Sequence, residues 1–256
     1  MVITGASAGI GAAVAELVAA RGGRPVLLAR RAEELAAVAA RCGAQSLAVV
    51  TDVSRRDEVE RALQAALARH GQVDVWVNNA GRGINRLVSE LTDDDLDDMI
   101  RVNVKSALYG MQAVLPHFRG RGRGHIINVS SMLGRVPFAT IRSAYSASKH
   151  ALNSLSANLR MELRAQHPGI HVSVVHPGVV QTDFGKNALH GGPDSRLLPN
   201  SQTAEEVAEV IAGVIDQPRA DVYTRPWAKQ VVVDYYAAED MGRAEQEFQA
   251  PARPPR

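Results

Sequence analysis

The chain has 256 residues, 46% of them hydrophobic and 22% charged, which is enough to bury a full core and excludes a disordered or collagen-like protein. Twenty-nine Lys and Arg against 27 Asp and Glu leave a net charge of +2, so neither nucleic acid nor an anionic membrane is favoured as a partner. The single cysteine, Cys42, excludes an intrachain disulfide, no Cys/His cluster has metal-ligand spacing, and no apolar run approaches the ~20 residues that span a bilayer. A cytoplasmic, unexported protein without a structural or catalytic metal is expected, because Met1-Val2-Ile3-Thr4 carries no basic leader.

In chain order, short runs of Val, Ile and Leu alternate with stretches of helical period, the pattern of βα units and a parallel sheet. A strand at Val2–Thr4 precedes a helix near 10–21, and Pro25–Ala29 precedes one near 32–42. Ser46–Thr51 leads to 55–69, and Val73–Val77 leads to a helical pattern over 93–118 that a break could divide. His125–Val129 leads to 145–166, His171–Val175 to 203–216, and Asp221–Tyr223 is the seventh strand. The strands are almost continuously apolar, which predicts a sheet covered on both faces. Thr92 before five aspartates in 93–98 reads as an N-cap and an acidic first turn, not as a calcium loop. The Arg-Gly alternation over 119–124 could touch phosphates but reads as a solvated helix-to-strand loop, and the sequon at Asn128 falls inside a buried strand. Residues 182–202 lack periodicity and follow a strand's carboxyl end, where open α/β sheets place ligands. In the tail, a helical stretch from Tyr235 to Phe248 is expected, with the last six residues disordered.

Directly after the first strand stands Thr4-Gly5-Ala6-Ser7-Ala8-Gly9-Ile10-Gly11, opening a helix. Glycines at such a turn let the backbone approach a pyrophosphate, whose charge the helix amino terminus favours. At the end of the second strand, where an acid would select NAD, the chain has Ala29-Arg30-Arg31 and no acid before Glu33, which favours the 2′-phosphate of NADP over NAD. Tyr145 and Lys149 are four apart on one helix face, so a neighbouring ammonium is expected to lower the phenol's pKa and suit it to acid–base work. His176, beside Pro177, reads as a packing or backbone-bonded residue.

Taken in order, Thr4-Gly5-x-x-x-Gly9-x-Gly11, Asp52, Asn78-Asn79-Ala80-Gly81, Asn103, Ser131, Tyr145-x-x-x-Lys149 and Pro177-Gly178-x-x-x-Thr182 resemble the short-chain dehydrogenase/reductases over about residues 1–225. The resemblance implies a single Rossmann-type, doubly wound α/β domain with a seven-stranded parallel sheet, followed by a tail over 226–256. It implies hydride transfer between NADP(H) and a small carbonyl or alcohol. Tyr145 would be the proton donor, Lys149 its activator and ribose anchor, Ser131 the partner of the substrate oxygen, and Asn103 the anchor of a proton-relay water. Asn103 also reads as a buried structural amide. Thr4, Gly5, Ser7, Gly9, Ile10 and Gly11 would bind the cofactor at the turn, and Arg30 and Arg31 its 2′-phosphate. Asp52 and Val53 would border the adenine, Asn78, Ala80 and Gly81 the adenosine-side ribose and the central sheet, and Pro177, Gly178, Val180 and Thr182 the nicotinamide. Asp52 and Asn78 also have readings as a turn residue and as a partner of backbone groups.

Relatives place the serine thirteen residues before the tyrosine, whereas Ser131 precedes Tyr145 by fourteen, so one extra residue is expected within 136–144, with Ser130 as the alternative hydroxyl. Only three residues precede Thr4, so either the first strand is short or the chain starts late. By resemblance, helices over 103–118 and 145–166 would assemble a homodimer or homotetramer. The competing readings are a catalytically silent dinucleotide-binding regulator or scaffold and, less well matched by the glycine spacing, a nucleotide-sugar dehydratase or epimerase.

Overall fold

A computed structural model describes residues 1–249, and in it each predicted strand forms. Strand β1 (Val2–Thr4) lies between β2 (Val26–Ala29) and β4 (Val75–Asn78); β3 (Leu47–Val50) lies outside β2, and β5 (Gly124–Val129), β6 (Ile170–His176) and β7 (Asp221–Tyr223) follow β4 outward. Every pairing is parallel and the order is β3-β2-β1-β4-β5-β6-β7. The order reverses between β1 and β4, so the loops leaving these two strands separate and open a crevice at their carboxyl ends.

Side chains alternate across the strands and build two cores. Ile3, Leu27, Val77 and Ile127 pack on one face with Val14 of helix α1 (Gly9–Ala20), Leu35 of α2 (Ala32–Cys42) and Ile211 of α7 (Ala204–Asp216). Val2, Leu28, Trp76 and Ile126 pack on the other with Leu63 of α3 (Arg56–His70), Phe118 of α5 (Ser106–Arg121) and Leu163 of α6 (Ser143–Leu163). The expected two-sided coverage fails only toward the edge, where Val50 of β3 is 61% exposed.

The helical pattern over 93–118 is divided. Helix α4 (Asp93–Ile100) starts on a capping box in which the Thr92 hydroxyl accepts from the Asp95 amide, and a π-helical turn at Arg101–Lys105 joins it to α5. The Arg-Gly run differs from its reading as a loop: α5 continues through Arg121, Gly122 closes it at φ +68°, and Arg119 and Arg121 pair with Glu162 and Asp74 at 2.9 Å each. The tail helix also divides, into α8 (Ala228–Ala237) and α9 (Met241–Gln249), because the Asp240 carboxylate accepts from the Gly242 amide at 2.9 Å and restarts the chain. Val232 and Tyr235 of α8 pack on Val136 and Phe138, so this part of the tail covers the loop before Tyr145. The six residues expected to be disordered lie outside the described residues. Among the described residues no helix is long and apolar enough to cross a membrane.

Candidate active site

The glycine turn after β1 is shaped by contacts that no side chain would permit. Gly5 and Gly9 have φ of +66° and +54°, and a Cβ on Gly11 would lie 2.4 Å from the Gly5 carbonyl oxygen. No side chain caps the start of α1 and no acid stands in its first turn, so its free N–H groups face the crevice. This open cradle fits a pyrophosphate. Thr4 does not line the crevice: its hydroxyl accepts from the Asn79 and Ala80 amides at 2.9 Å each, binding the turn after β1 to the turn after β4. The Asn79 side chain completes that clamp by donating to the Thr4 carbonyl at 2.9 Å. Asn79 also lines the crevice, yet its sequence signal, adjacency to Asn78 in the Asn-Asn-Ala-Gly run, did not single it out.

Of its two expected places, the ribose side and the central sheet, Asn78 occupies the sheet. It is buried in the core, where its Oδ1 accepts from Trp76 Nε1 at 2.8 Å and its Nδ2 donates to Asn128 Oδ1 at 2.8 Å. Asn128 in turn donates to Ser156 on α6 at 2.8 Å. This polar ladder ties β4, β5 and α6 together beneath the site. Gly81 lines the crevice beside two polar side chains, where a Cβ would lie 3.1 Å from Asn103 Oδ1 and 3.6 Å from Lys149 Nζ.

Asn103 sits in the π turn, a local widening that turns its side chain into the interior. Its Oδ1 accepts from the Arg82 amide at 2.8 Å, and its Nδ2 donates to the Arg82 carbonyl at 2.9 Å and to Ser148 Oγ at 3.0 Å. Ser148 Oγ donates to the Tyr145 carbonyl at 2.7 Å. The amide thus fastens the loop after β4 to α6 at the tyrosine, with both Nδ2 hydrogens and one Oδ1 lone pair taken by protein groups.

Ser131 and Tyr145 meet. The Ser131 hydroxyl faces the phenol closely enough to draw its pKa down, and Ser131 Oγ accepts from the Leu133 amide at 3.1 Å. Ser130 instead places its Oγ against the Lys149 carbonyl, 3.5 Å away. The expectation of a lowered tyrosine pKa fails here: burial pushes the Tyr145 phenol up to about 12, against the opposing pull of the Ser131 hydroxyl and the Arg142 charge. Lys149 Nζ stands 5.8 Å from the centre of the Tyr145 ring and donates to the Val129 carbonyl at 2.9 Å. Burial lowers the Lys149 ammonium to about 8.

Beyond these two hydroxyls, Pro177, Gly178, Val180 and Thr182 line the same cavity, which also takes in Ser7, Ile10 and Ala80 and encloses about 780 Å³. Thr182 closes on the glycine turn, since its methyl would be 3.0 Å from a Cβ on Gly9. Phe184 packs edge-on against Tyr145 with ring centres 5.5 Å apart, and the partly buried Arg142 guanidinium enters the wall beside it. His176 lies beneath, bonded to the Ser131 carbonyl at 3.3 Å and to Asp221 at 2.9 Å, in keeping with a packing and backbone-bonded role.

Besides Thr4, Gly11 and Asn78, four predicted cofactor contacts lie outside the cavity wall, toward the ends of β2 and β3. Arg30 and Arg31 are exposed, and Arg31 donates to Ser7 of the glycine turn at 3.0 Å while pairing with Glu34 at 3.2 Å. The Asp52 carboxylate accepts from the Ser54 amide at 3.0 Å and hydroxyl at 2.7 Å, which makes it a turn residue here. Burial pushes that carboxyl up, but the Ser54 bonds and the Arg30 and Arg101 charges outweigh it and hold it below the usual range. Val53 is half-buried against the α3 side of the core.

The chain belongs to the short chain dehydrogenase family, whose profile matches residues 1–191. An uncharacterized oxidoreductase of Staphylococcus saprophyticus is 36% identical over 222 residues, covering 85% of this chain and 90% of that protein. A short chain dehydrogenase/reductase of Burkholderia phymatum, solved with NAD, superposes with a TM-score of 0.85 at 26% identity, over 100% of this chain and 96% of that one. The closed form of a serine dehydrogenase with NADP+ superposes with a TM-score of 0.82 at 28% identity, over 93% and 97%. The protein is therefore an oxidoreductase of this family, with relatives that bind a nicotinamide dinucleotide.

Proposed function

We propose that the protein interconverts a small carbonyl and its alcohol with NADP(H). The observation that carries this reading is the meeting of the Ser131 and Tyr145 hydroxyls in the wall of one cavity that continues to the glycine turn. When bound, NADPH supplies the hydride for the carbonyl carbon. Tyr145 gives its proton to the carbonyl oxygen, and Ser131 donates a hydrogen bond to the same oxygen as charge develops there. A phenol held near 12 keeps its proton at neutral pH, which suits the reductive direction. In oxidation the cations of Lys149 and Arg142 favour the phenolate. Asn103 acts by position, holding the Arg82 loop against the helix that carries Tyr145 and Lys149.

The glycine turn, Ser7, Asn79, Ala80 and Gly81 would hold the dinucleotide, with Pro177 to Thr182 closing over its other end. One structural relative carries NAD and another NADP+, so the preference for NADP is read from this chain's own Arg30 and Arg31. Tyr145→Phe tests the mechanism: turnover of any carbonyl substrate should fall by about 10²- to 10⁴-fold while nucleotide affinity stays near that of the wild type. An unchanged rate would sink it. Arg30→Ala with Arg31→Ala should reduce the ratio of NADPH to NADH affinity by roughly 10-fold or more, read by nucleotide titration. A ratio equal to that of the wild type removes the argument for NADP.

A further inference from the structure

Most charged groups in the cavity wall have partners. Arg41 pairs with Glu16 at 2.7 Å, Arg196 with Asp183 at 2.8 Å, and Lys149 donates to the Val129 carbonyl. Arg142 and Lys149 are the cations of this wall without a carboxylate partner among the described residues, and the Arg142 guanidinium is only partly buried, with one donor given to the Ile84 carbonyl at 3.2 Å. Room for it is made on two sides by glycines. A Cβ on Gly83 would lie 2.9 Å from its Nη1, and one on Gly192 would lie 3.3 Å from its Nη2. The charge sits beside the Tyr145 phenol, the ionizable group that acts on it most directly. A guanidinium drawn partly out of water without a counter-ion is costly, and its planar fork matches a carboxylate through two parallel hydrogen bonds.

We propose that Arg142 is the carboxylate-binding residue of the substrate pocket, so that the substrate is a short oxo acid and its hydroxy acid, held by its carboxylate on Arg142 with its carbonyl between Tyr145 and Ser131. This rests on the carbonyl-reductase reading above. The cavity supports it chemically: Phe184 and Leu133 supply apolar wall for a short carbon chain, and Arg142 and the Tyr145–Ser131 pair supply polar ends. Of the acids on the cavity wall, Glu16 is engaged by Arg41 and Asp183 by Arg196, so these two compete little for Arg142.

The test compares kcat/KM for short 2-oxo and 3-oxo acids with that for their methyl esters, in the wild type, Arg142→Gln and Arg142→Lys. Because Arg142 also acts on Tyr145, the acid-to-ester ratio is the readout, not the absolute rate. The wild type should prefer the acids, and Arg142→Gln should lower that ratio by roughly 10- to 100-fold, with Arg142→Lys falling between. Oxamate, a carboxylate that is not reduced, is titrated into the same proteins with NADP+ present and absent, and its affinity should weaken by a similar factor in Arg142→Gln. Esters reduced with an acid-to-ester ratio equal in wild type and Arg142→Gln overturn the carboxylate assignment and leave the reductase reading standing. Oxamate bound through Arg142 by a protein that reduces neither acids nor esters overturns the reductase reading and keeps the carboxylate site. Oxamate affinity indifferent to Arg142 overturns the assignment on its own.

Discussion

Ser130 and Ser131 are adjacent in sequence and opposite in environment. The first is set against the helix backbone at Lys149, and the second faces the Tyr145 phenol in the cavity wall. Ser131→Ala should lower kcat by about 10²- to 10³-fold, since it removes a donor aimed at the substrate oxygen. Ser130→Ala should leave turnover near that of the wild type and cost stability at most about 1 kcal/mol. Steady-state kinetics and thermal melts of the two variants separate these outcomes, and the reverse pattern would move the catalytic hydroxyl to Ser130. Spacing alone left both serines open, because an extra residue in the following loop shifts the count without moving the strand end.

Helix α5 reaches the sheet only because it carries glycine at the closest approach. A Cβ on Gly110 would stand 2.3 Å from Asn78 Oδ1 and 2.4 Å from Trp76 Nε1, at the head of the ladder that runs through Asn128 to Ser156. Gly110→Ala should therefore destabilise the protein by about 1–3 kcal/mol and shift the Trp76 fluorescence, because the bond and the packing are displaced together. Chemical denaturation followed by fluorescence measures both. An unperturbed midpoint would mean that α5 slides outward at no cost. The π turn that precedes α5 is the other device at this level. One extra residue per turn changes the phase of the helical pattern between 93 and 121, and that is how Asn103 points inward where a continuous helix offers a poor helix former.

Distant parts of the chain converge on Asp221 of β7, which takes hydrogen bonds from Arg135 and His176 and pairs with Arg160 at 3.4 Å. Burial pushes its carboxyl up, but His176 and Arg135 outweigh it and hold it down at about 2. That value lies below the unfolded one of 3.8, so the carboxylate contributes stability that is complete above about pH 4 and is lost as pH falls through about 2. The contribution is about 2 kcal/mol. Asp221→Asn should be less stable than the wild type at neutral pH, with the gap in unfolding free energy closing between pH 4 and pH 2. A gap that is constant with pH would show that the network acts by shape and not by charge.

The seven strands, the flanking helices, the glycine turn and the ordered set from Thr4 to Thr182 were all legible in the linear chain. Each is a pattern among residues a few positions apart, and periodicity and spacing report backbone geometry at that range. Edges were the weak point: α5 runs past its predicted end because Arg119 and Arg121 find acids on other elements, and the tail helix breaks at Asp240 on a local cap. What required the folded chain was the company each polar side chain keeps. Asn78 enters the core because β4 lies beside β5, Asp52 turns to Ser54 and not to the cavity, and Arg142 reaches the wall because Gly83 and Gly192 leave it space. Tyr145 is the clearest case. Lys149 four residues on suggested a lowered pKa, yet burial under Phe184 and the sheet raises it, since desolvation sums over everything packed around the phenol while a motif counts only its neighbours along the helix.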